Sequence, residues 1–303
     1  MTFVIGSFTK TKAQQVPMYT QYMFNTLAIN PAYAGSRNLV SATGLYRSQW
    51  SQMNGAPKTA TFTIDAPLNG KKIGLGLQIM NDKIGVMNTT GLAGSYAYRL
   101  RLDPGTLSLG LQGSVSQFKV DNTSVQLDPD GTSEDPAFSN NINKTLFNFG
   151  TGVYYNSDRF YIGFSALDLL SNRLYDSGVE VQSTNRAKQA VHMFLASGYV
   201  FPLSESFNLK SSVLLKGVKG APLEADLNAT LWVNDVVAVG AQYRTNADIS
   251  LLTELQVTEQ IRIGYAYDYS TTSLRNYNSG SHEIMLRYEF SFDAGRTITP
   301  RYF

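Results

Sequence analysis

The feature that most constrains the fold is an alternation of apolar and polar residues that restarts many times between residues 38 and 292. Within Leu223–Val233 apolar residues occupy the odd positions, and the even positions are mainly charged or polar. Glu283–Phe292 alternates with the opposite parity. Because successive side chains of a β-strand point to opposite faces, each such segment is predicted to be a strand with one apolar and one polar face. About fourteen segments of roughly 9–13 residues are typical of a transmembrane β-barrel.

The predicted strands are bounded by turn-forming residues such as Asn69-Gly70 and Asn234-Asp235. They cover residues 38–50, 57–66, 71–82, 88–103, 105–119, 146–157, 159–167, 188–202, 206–217, 221–233, 235–245, 248–258, 260–271 and 281–292. The sequence therefore predicts an all-β fold, a transmembrane antiparallel β-barrel of about 14 strands with an N-terminal plug segment.

Composition agrees with a barrel and excludes several other classes. Charged residues make up 16% of the chain, against roughly 25% in an average soluble domain. Mean hydropathy is −0.16, a value that suits strands of which only every second residue meets lipid. The net charge of +2 gives no case for nucleic acid as a partner, and the absence of cysteine excludes disulfides and thiolate chemistry.

The connections between predicted strands differ in length at the two ends of the barrel. Those after even-numbered strands are short, whereas the long ones, 120–145, 168–187 and 270–280, all follow odd-numbered strands. Outer-membrane barrels have short periplasmic turns and longer external loops. We therefore expect an outer-membrane location with both termini in the periplasm. A soluble barrel is the alternative, but the charged residues at the polar positions of the alternation favour a water-filled lumen.

The chain before the first strand has no two-residue alternation. Residues 1–13 are read as a residual signal peptide, although a disordered start is the alternative. Residues 14–37 are rich in apolar and aromatic side chains, which would form an exposed patch in the periplasm. We expect this segment to fold back into the periplasmic end as a plug, or else to pack under the rim. Residues 38–303 form the barrel and a C-terminal tail.

Three pieces of sequence carry a family resemblance. Residues 19–36 read YTQYMFNTLAINPAYAGS, LYRSQW follows at 45–50, and GAPKT follows at 55–59. In this order and spacing, and with PRYF at 300–303, they resemble the PorP/SprF family of type IX secretion outer-membrane proteins. The plug and family-motif residues are Gln21, Tyr22, Phe24, Asn25, Asn30, Pro31, Tyr33 and Gly35.

The resemblance implies a Bacteroidota outer membrane. It also implies a function in protein export, because some members act in the core type IX apparatus. Others are dedicated partners of exported proteins, including large gliding adhesins, and recognise a type B C-terminal domain on that cargo. The sequence leaves both groups open, and membrane lipids or lipopolysaccharide are expected as neighbours.

The runner-up function is a passive or solute-selective pore. A selective pore would show a ring of charges of one sign, whereas the polar parity here carries both signs, including Arg244, Arg262 and Arg287 in the predicted lumen. An enzyme is not expected, since no G-x-S-x-G elbow occurs, and no cofactor is expected. The acidic residues of 128–135 are interpreted as a solvated loop, with calcium as the open alternative.

Aromatic and apolar residues in the long connections are candidates for binding a protein partner, because such side chains are enriched at protein interfaces. They are Phe138, Leu170, Tyr175 and Tyr277. The alternative is that they fold over the barrel mouth as a lid.

Overall fold

A computed structural model describes residues 17–68, 70–124, 140–174 and 188–290. Within them fourteen strands form a closed barrel in which each strand pairs with its neighbours along the chain. The strands are β1 Val40–Ser48, β2 Lys58–Leu68, β3 Ile73–Ile84, β4 Met87–Arg101, β5 Thr106–Val120, β6 Ile142–Asn156, β7 Phe160–Leu167, β8 His192–Pro202, β9 Phe207–Val218, β10 Glu224–Val233, β11 Val237–Arg244, β12 Asp248–Gln256, β13 Ile261–Ser270 and β14 Ser281–Phe290.

All neighbouring strands are antiparallel, and the barrel closes between β1 and β14. Val40 pairs with Phe290 at one end of this seam, and Ser48 pairs with His282 at the other. Closure leaves no sheet edge exposed along the seam, which a barrel in lipid requires. The predicted fourteen-stranded transmembrane barrel is confirmed. Among the described residues, no helix has the length and apolar character needed to cross a bilayer.

Two predicted strand boundaries were wrong by about four residues, which is an ordinary error for boundaries read from sequence. β6 begins at Ile142 instead of residue 146, because the polar residues there still pair with β5, as Asn143 does with Lys119. β8 begins at His192 instead of residue 188, since Lys188 forms an isolated bridge to Arg173.

The two faces of the wall differ as the alternation predicts. Outward-facing residues are apolar and exposed; Leu227, for example, is 52% exposed. Its neighbours along β10, Asp226 and Asn228, face inward and are buried. A lipid-facing surface with a polar interior is the inverse of a soluble barrel.

The two ends of the barrel have different connections. Those after even-numbered strands are three or four residues long, at 69–72, 102–105, 157–159, 203–206, 234–236 and 257–260. We name this the short-turn end. The opposite end carries the connections 121–141, 168–191 and 271–280, and we name it the long-connection end.

The lipid-facing surface gives the first testable prediction. Leu227→Arg places a cation near the middle of β10, and we expect it to lower the free energy of unfolding by about 2–4 kcal/mol in lipid vesicles. Val236→Arg, in an exposed short turn, is the matched control and should cost about 0–1 kcal/mol. Denaturant titration of both variants measures this difference, and equal losses would contradict the assignment of faces.

Candidate functional site

The lumen contains the chain segment that precedes β1. We name residues 19–37 the inner segment; every one of them is buried. The segment forms three short 3₁₀ turns at Tyr22–Phe24, Thr26–Ala28 and Pro31–Tyr33. Its apolar side chains form one hydrophobic cluster with inward-facing residues of the wall. The inner segment therefore gives the polar lumen an apolar core.

Local sequence explains the shape of the segment. Asn30 caps the third turn, where its Oδ1 accepts the N–H of Ala32 at 3.0 Å. Pro31 takes the first position of that turn, where a missing N–H leaves no bond unmade. Gly35 has a φ of +71°, which residues with a Cβ rarely adopt. The chain can therefore turn from the lumen into β1.

At the long-connection end, a single carboxylate holds the backbone of the segment. The N–H groups of Thr20 and Gln21 donate to the two oxygens of Glu283, at 2.9 and 2.7 Å. The hydroxyl of Thr20 donates to Asp268 at 2.8 Å. Hydrogen bonds to a charged acceptor are stronger than hydrogen bonds between neutral groups, so these contacts fix the part of the segment at the long-connection end.

Buried cations complete this anchor. Arg47 lies 2.7 Å from Asp268 and 3.1 Å from Glu283, and it also donates to the Thr20 hydroxyl at 2.8 Å. Arg244 donates to the carbonyl oxygen of Tyr19 at 3.2 Å. A buried charge needs a partner, and here wall charges and segment backbone satisfy one another.

The middle of the segment packs on both sides of the lumen. The Tyr22 hydroxyl lies 3.1 Å from the Ser212 hydroxyl of β9, and both side chains are buried. On the opposite wall, Thr63 donates to Asn25 Oδ1 at 3.1 Å. The Phe24 carbonyl accepts a hydrogen bond from Arg287, whose guanidinium also lies 5.8 Å from the Phe24 ring.

Toward the short-turn end, the segment binds strands β2, β6 and β7. Asn30 Nδ2 donates to the Val153 carbonyl at 3.1 Å, and the Gly35 N–H donates to Asp65 at 2.8 Å. The Tyr33 ring meets that of Tyr154 edge-on, with centroids 5.4 Å apart.

The last residue of the segment, Arg37, forms an ion pair. Arg37 lies 2.5 Å from Glu289 of β14, and both are buried. Strand β14 therefore holds the segment at two places: Glu289 binds Arg37 near one end of the strand, and Glu283 binds Thr20 near the other.

Glycines allow the wall to approach the segment closely. A Cβ added to Gly74 of β3 would overlap the carbonyl of Ala34, and one added to Gly110 of β5 would overlap the backbone of Ala32. Glycine within a strand commonly marks such an approach. The wall from β3 to β6 is thus shaped to receive the third turn.

The structure places all the family-motif residues in the inner segment. They are Gln21, Tyr22, Phe24, Asn25, Asn30, Pro31, Tyr33 and Gly35, and all of them are buried. The three predicted lumenal arginines face inward but do not form one site. Arg244 lies at the long-connection end with Asp226, at 3.0 Å, and Arg262 stacks over Trp232 at the short-turn end, 4.7 Å from the ring centroid. Arg287 of β14 is the register partner of Arg262.

Of the predicted partner-binding residues, two can be located. Leu170 and Tyr277 lie at the long-connection end and are 43% and 73% exposed. The Leu170 N–H donates to Asn148 Oδ1 at 2.8 Å, so its backbone is tied to β6. Phe138 and Tyr175 lie outside the residues that the structure describes.

Sequence reasoning missed Arg47 and Asp65 as contacts of the segment. Their inward parity on β1 and β2 was the available signal. In the described part of the chain, no group of His, Asp and Glu side chains is arranged to hold a metal ion. The acidic residues of 128–135 lie outside that part.

The fold and the occupied lumen define a class of protein, an outer-membrane β-barrel that encloses its own N-terminal segment. Residues 11–288 match the family described as type IX secretion system membrane protein PorP/SprF. The chain belongs to this family. Comparison with curated proteins gives no match.

Several solved structures align with this chain at low sequence identity. The Acinetobacter baumannii outer membrane protein Omp33 aligns with a TM-score of 0.47 and 10% identity, over 84% of this chain and 98% of that chain. The NanC porin aligns with a TM-score of 0.44 and 10% identity, over 84% of this chain and 100% of that chain. BamA from Haemophilus ducreyi lacking POTRA domains 1–3 aligns with a TM-score of 0.44 and 9% identity, over 83% of this chain and 70% of that chain.

The close glycine contacts give the second prediction. Gly110→Ala should lower the free energy of unfolding by about 1–3 kcal/mol, because its methyl group forces the third turn away from the wall. Gly113→Ala is the matched control on the same strand, where an added Cβ meets nothing within 4 Å. Denaturant titration of the two variants provides the comparison. Similar stability would show that the segment does not press on β5.

Proposed function

We propose that this protein supports the export, the cell-surface anchoring, or both, of a type IX cargo protein such as a gliding adhesin. It does so by binding the cargo's type B C-terminal domain at the long-connection end. In this proposal that end faces the cell exterior, and β14 ends on the periplasmic side. The chain itself catalyses no reaction.

One observation carries the proposal: the charges of the lumen wall bind the inner segment and one another. Glu283, Arg47 and Arg287 each contact the segment, and Arg244 joins Asp226 and Asp248 at 3.0 and 3.1 Å while also binding Tyr19. A solute pore needs lumenal groups that face a passing solute. Groups already paired with protein are unsuited to that task, which favours a function at the barrel's mouth.

The long-connection end has features of a protein-binding surface. Tyr277 and Leu170 expose apolar area there, above the lipid-facing wall. Aromatic side chains with a polar tip are enriched at protein interfaces because they bury a large area at small entropic cost. Membership of a type IX secretion family supports contact with components of that system as well. Lipopolysaccharide and lipid would surround the wall.

Conductance distinguishes this proposal from a pore. The wild-type barrel in a planar bilayer should conduct little, because the inner segment occupies the lumen. Gly74→Ala/Gly110→Ala should raise the conductance by displacing the segment, whereas Gly94→Ala/Gly113→Ala should not, since an added Cβ meets nothing there. A large and steady wild-type conductance would contradict the proposal and favour the pore.

Cargo retention tests the docking surface directly. Leu170→Ser/Tyr277→Ser should release a large surface protein into the medium, since anchors at an interface contribute about 2 kcal/mol or more each. Leu203→Ser/Val236→Ser is the control, because both residues are exposed at the short-turn end. Immunoblots of cells and medium give the retained fraction, with barrel assembly verified by heat-modified gel mobility. Equal retention in both variants would refute docking at these residues.

A further inference from the structure

The contacts of the inner segment follow an order along the barrel. Arg37, its last residue, binds Glu289, which lies next to Phe290 at the end of β14. Thr20, near its beginning, binds Glu283 close to the opposite end of the same strand. The segment thus moves from one end of β14 to the other as it is traced back from β1.

Strand register shows that Thr20 lies at the long-connection end. Glu283 pairs with Arg47, which directly precedes the last residue of β1. Asp268, the other acceptor for Thr20, lies near the end of β13, just before the connection 271–280. Three strands away from β14 around the barrel, Tyr19 binds Arg244, the last residue of β11. Each of these positions belongs to the same end.

The residues before Tyr19 continue in this direction. Pro17 and Met18 line a small cleft together with His192, Phe194 and Val218. His192 begins β8 and Val218 ends β9, so this part of the wall also lies at the long-connection end. The path is therefore fixed at both ends and on several strands.

We infer that the inner segment is threaded through the whole length of the barrel and that Pro17 and Met18, which precede it, lie at the mouth with the long connections. The sequence suggested instead that the segment enters as a plug from the periplasmic end with both termini there. The inferred path makes the chain around Met18 part of the same surface as Tyr277. That this surface faces the exterior rests on the proposed function.

Charge chemistry gives a reason for this direction. At the long-connection end the wall matches each backbone group of the segment: the carboxylate of Glu283 accepts the N–H groups of Thr20 and Gln21, and Arg244 donates to the Tyr19 carbonyl. Nearer the middle the segment presents the Phe24 carbonyl, and the wall meets it with Arg287. With the chain reversed, these backbone groups would no longer meet these partners, and an ionised Glu283 can only accept hydrogen bonds.

Single cysteines test the path, because the natural chain has none. Met18→Cys is compared with Tyr277→Cys at the long-connection end and Asn234→Cys in an exposed short turn. An impermeant maleimide is applied to intact cells and to permeabilised cells. We expect Met18→Cys and Tyr277→Cys to react on intact cells, with Asn234→Cys reacting only after permeabilisation.

Reaction of Met18→Cys together with Asn234→Cys, and apart from Tyr277→Cys, overturns the inference. If instead the two controls exchange behaviour while Met18→Cys still follows Tyr277→Cys, the threaded path is supported and the orientation in the proposed function is wrong. Should Met18→Cys stay unreactive in permeabilised cells, an epitope inserted directly before Pro17 replaces it. Antibody binding is then compared with the same epitope in the turn at Asn234, and the same two outcomes apply.

Discussion

The pairing of buried charges inside the barrel is the constraint on which the rest of the structure depends. Arg47, Asp268 and Glu283 are almost inaccessible to water, and a charge in such a place is costly unless it is paired and hydrogen-bonded. The inner segment supplies what the wall charges lack, namely backbone N–H groups, a threonine hydroxyl and carbonyl oxygens. Wall and segment therefore need each other. Without the segment, these charges would have to be hydrated by an open lumen.

The two sides of the lumen hold the segment by different means. From β11 to β14 charged side chains reach the backbone of the segment, as Arg244 and Arg287 do. From β3 to β6 the contacts are close packing against glycine, as at Gly74 and Gly110. Packing against bare backbone leaves no space for water, whereas long charged side chains can adjust. The third turn lies against β3 to β6, where glycine lets the wall backbone approach it most closely.

The alternation of residue types predicted the strands because each lipid-facing position must be apolar, and this rule acts on every strand separately. It predicted lumenal residues such as Arg244 for the same reason. The partners of these residues were beyond its reach, since Arg47 and Glu283 meet from positions 236 residues apart. The inner segment has no such rule, because its 3₁₀ turns are buried on all sides. Its motif could be recognised, but its direction through the lumen depends on contacts that only the folded barrel brings together.

An apolar core inside a membrane barrel changes what the barrel can do. In a water-filled barrel the wall is held mainly by strand pairing, and the lumen is a path. Here Tyr22, Phe24 and Leu27 join inward side chains such as Leu252 and Met285 in one buried cluster. Burial of apolar area then adds to strand pairing in holding the wall in shape. Such a barrel is better suited to present its ends to other proteins than to pass solutes, because anything that opened the lumen would have to break this core and expose paired charges together.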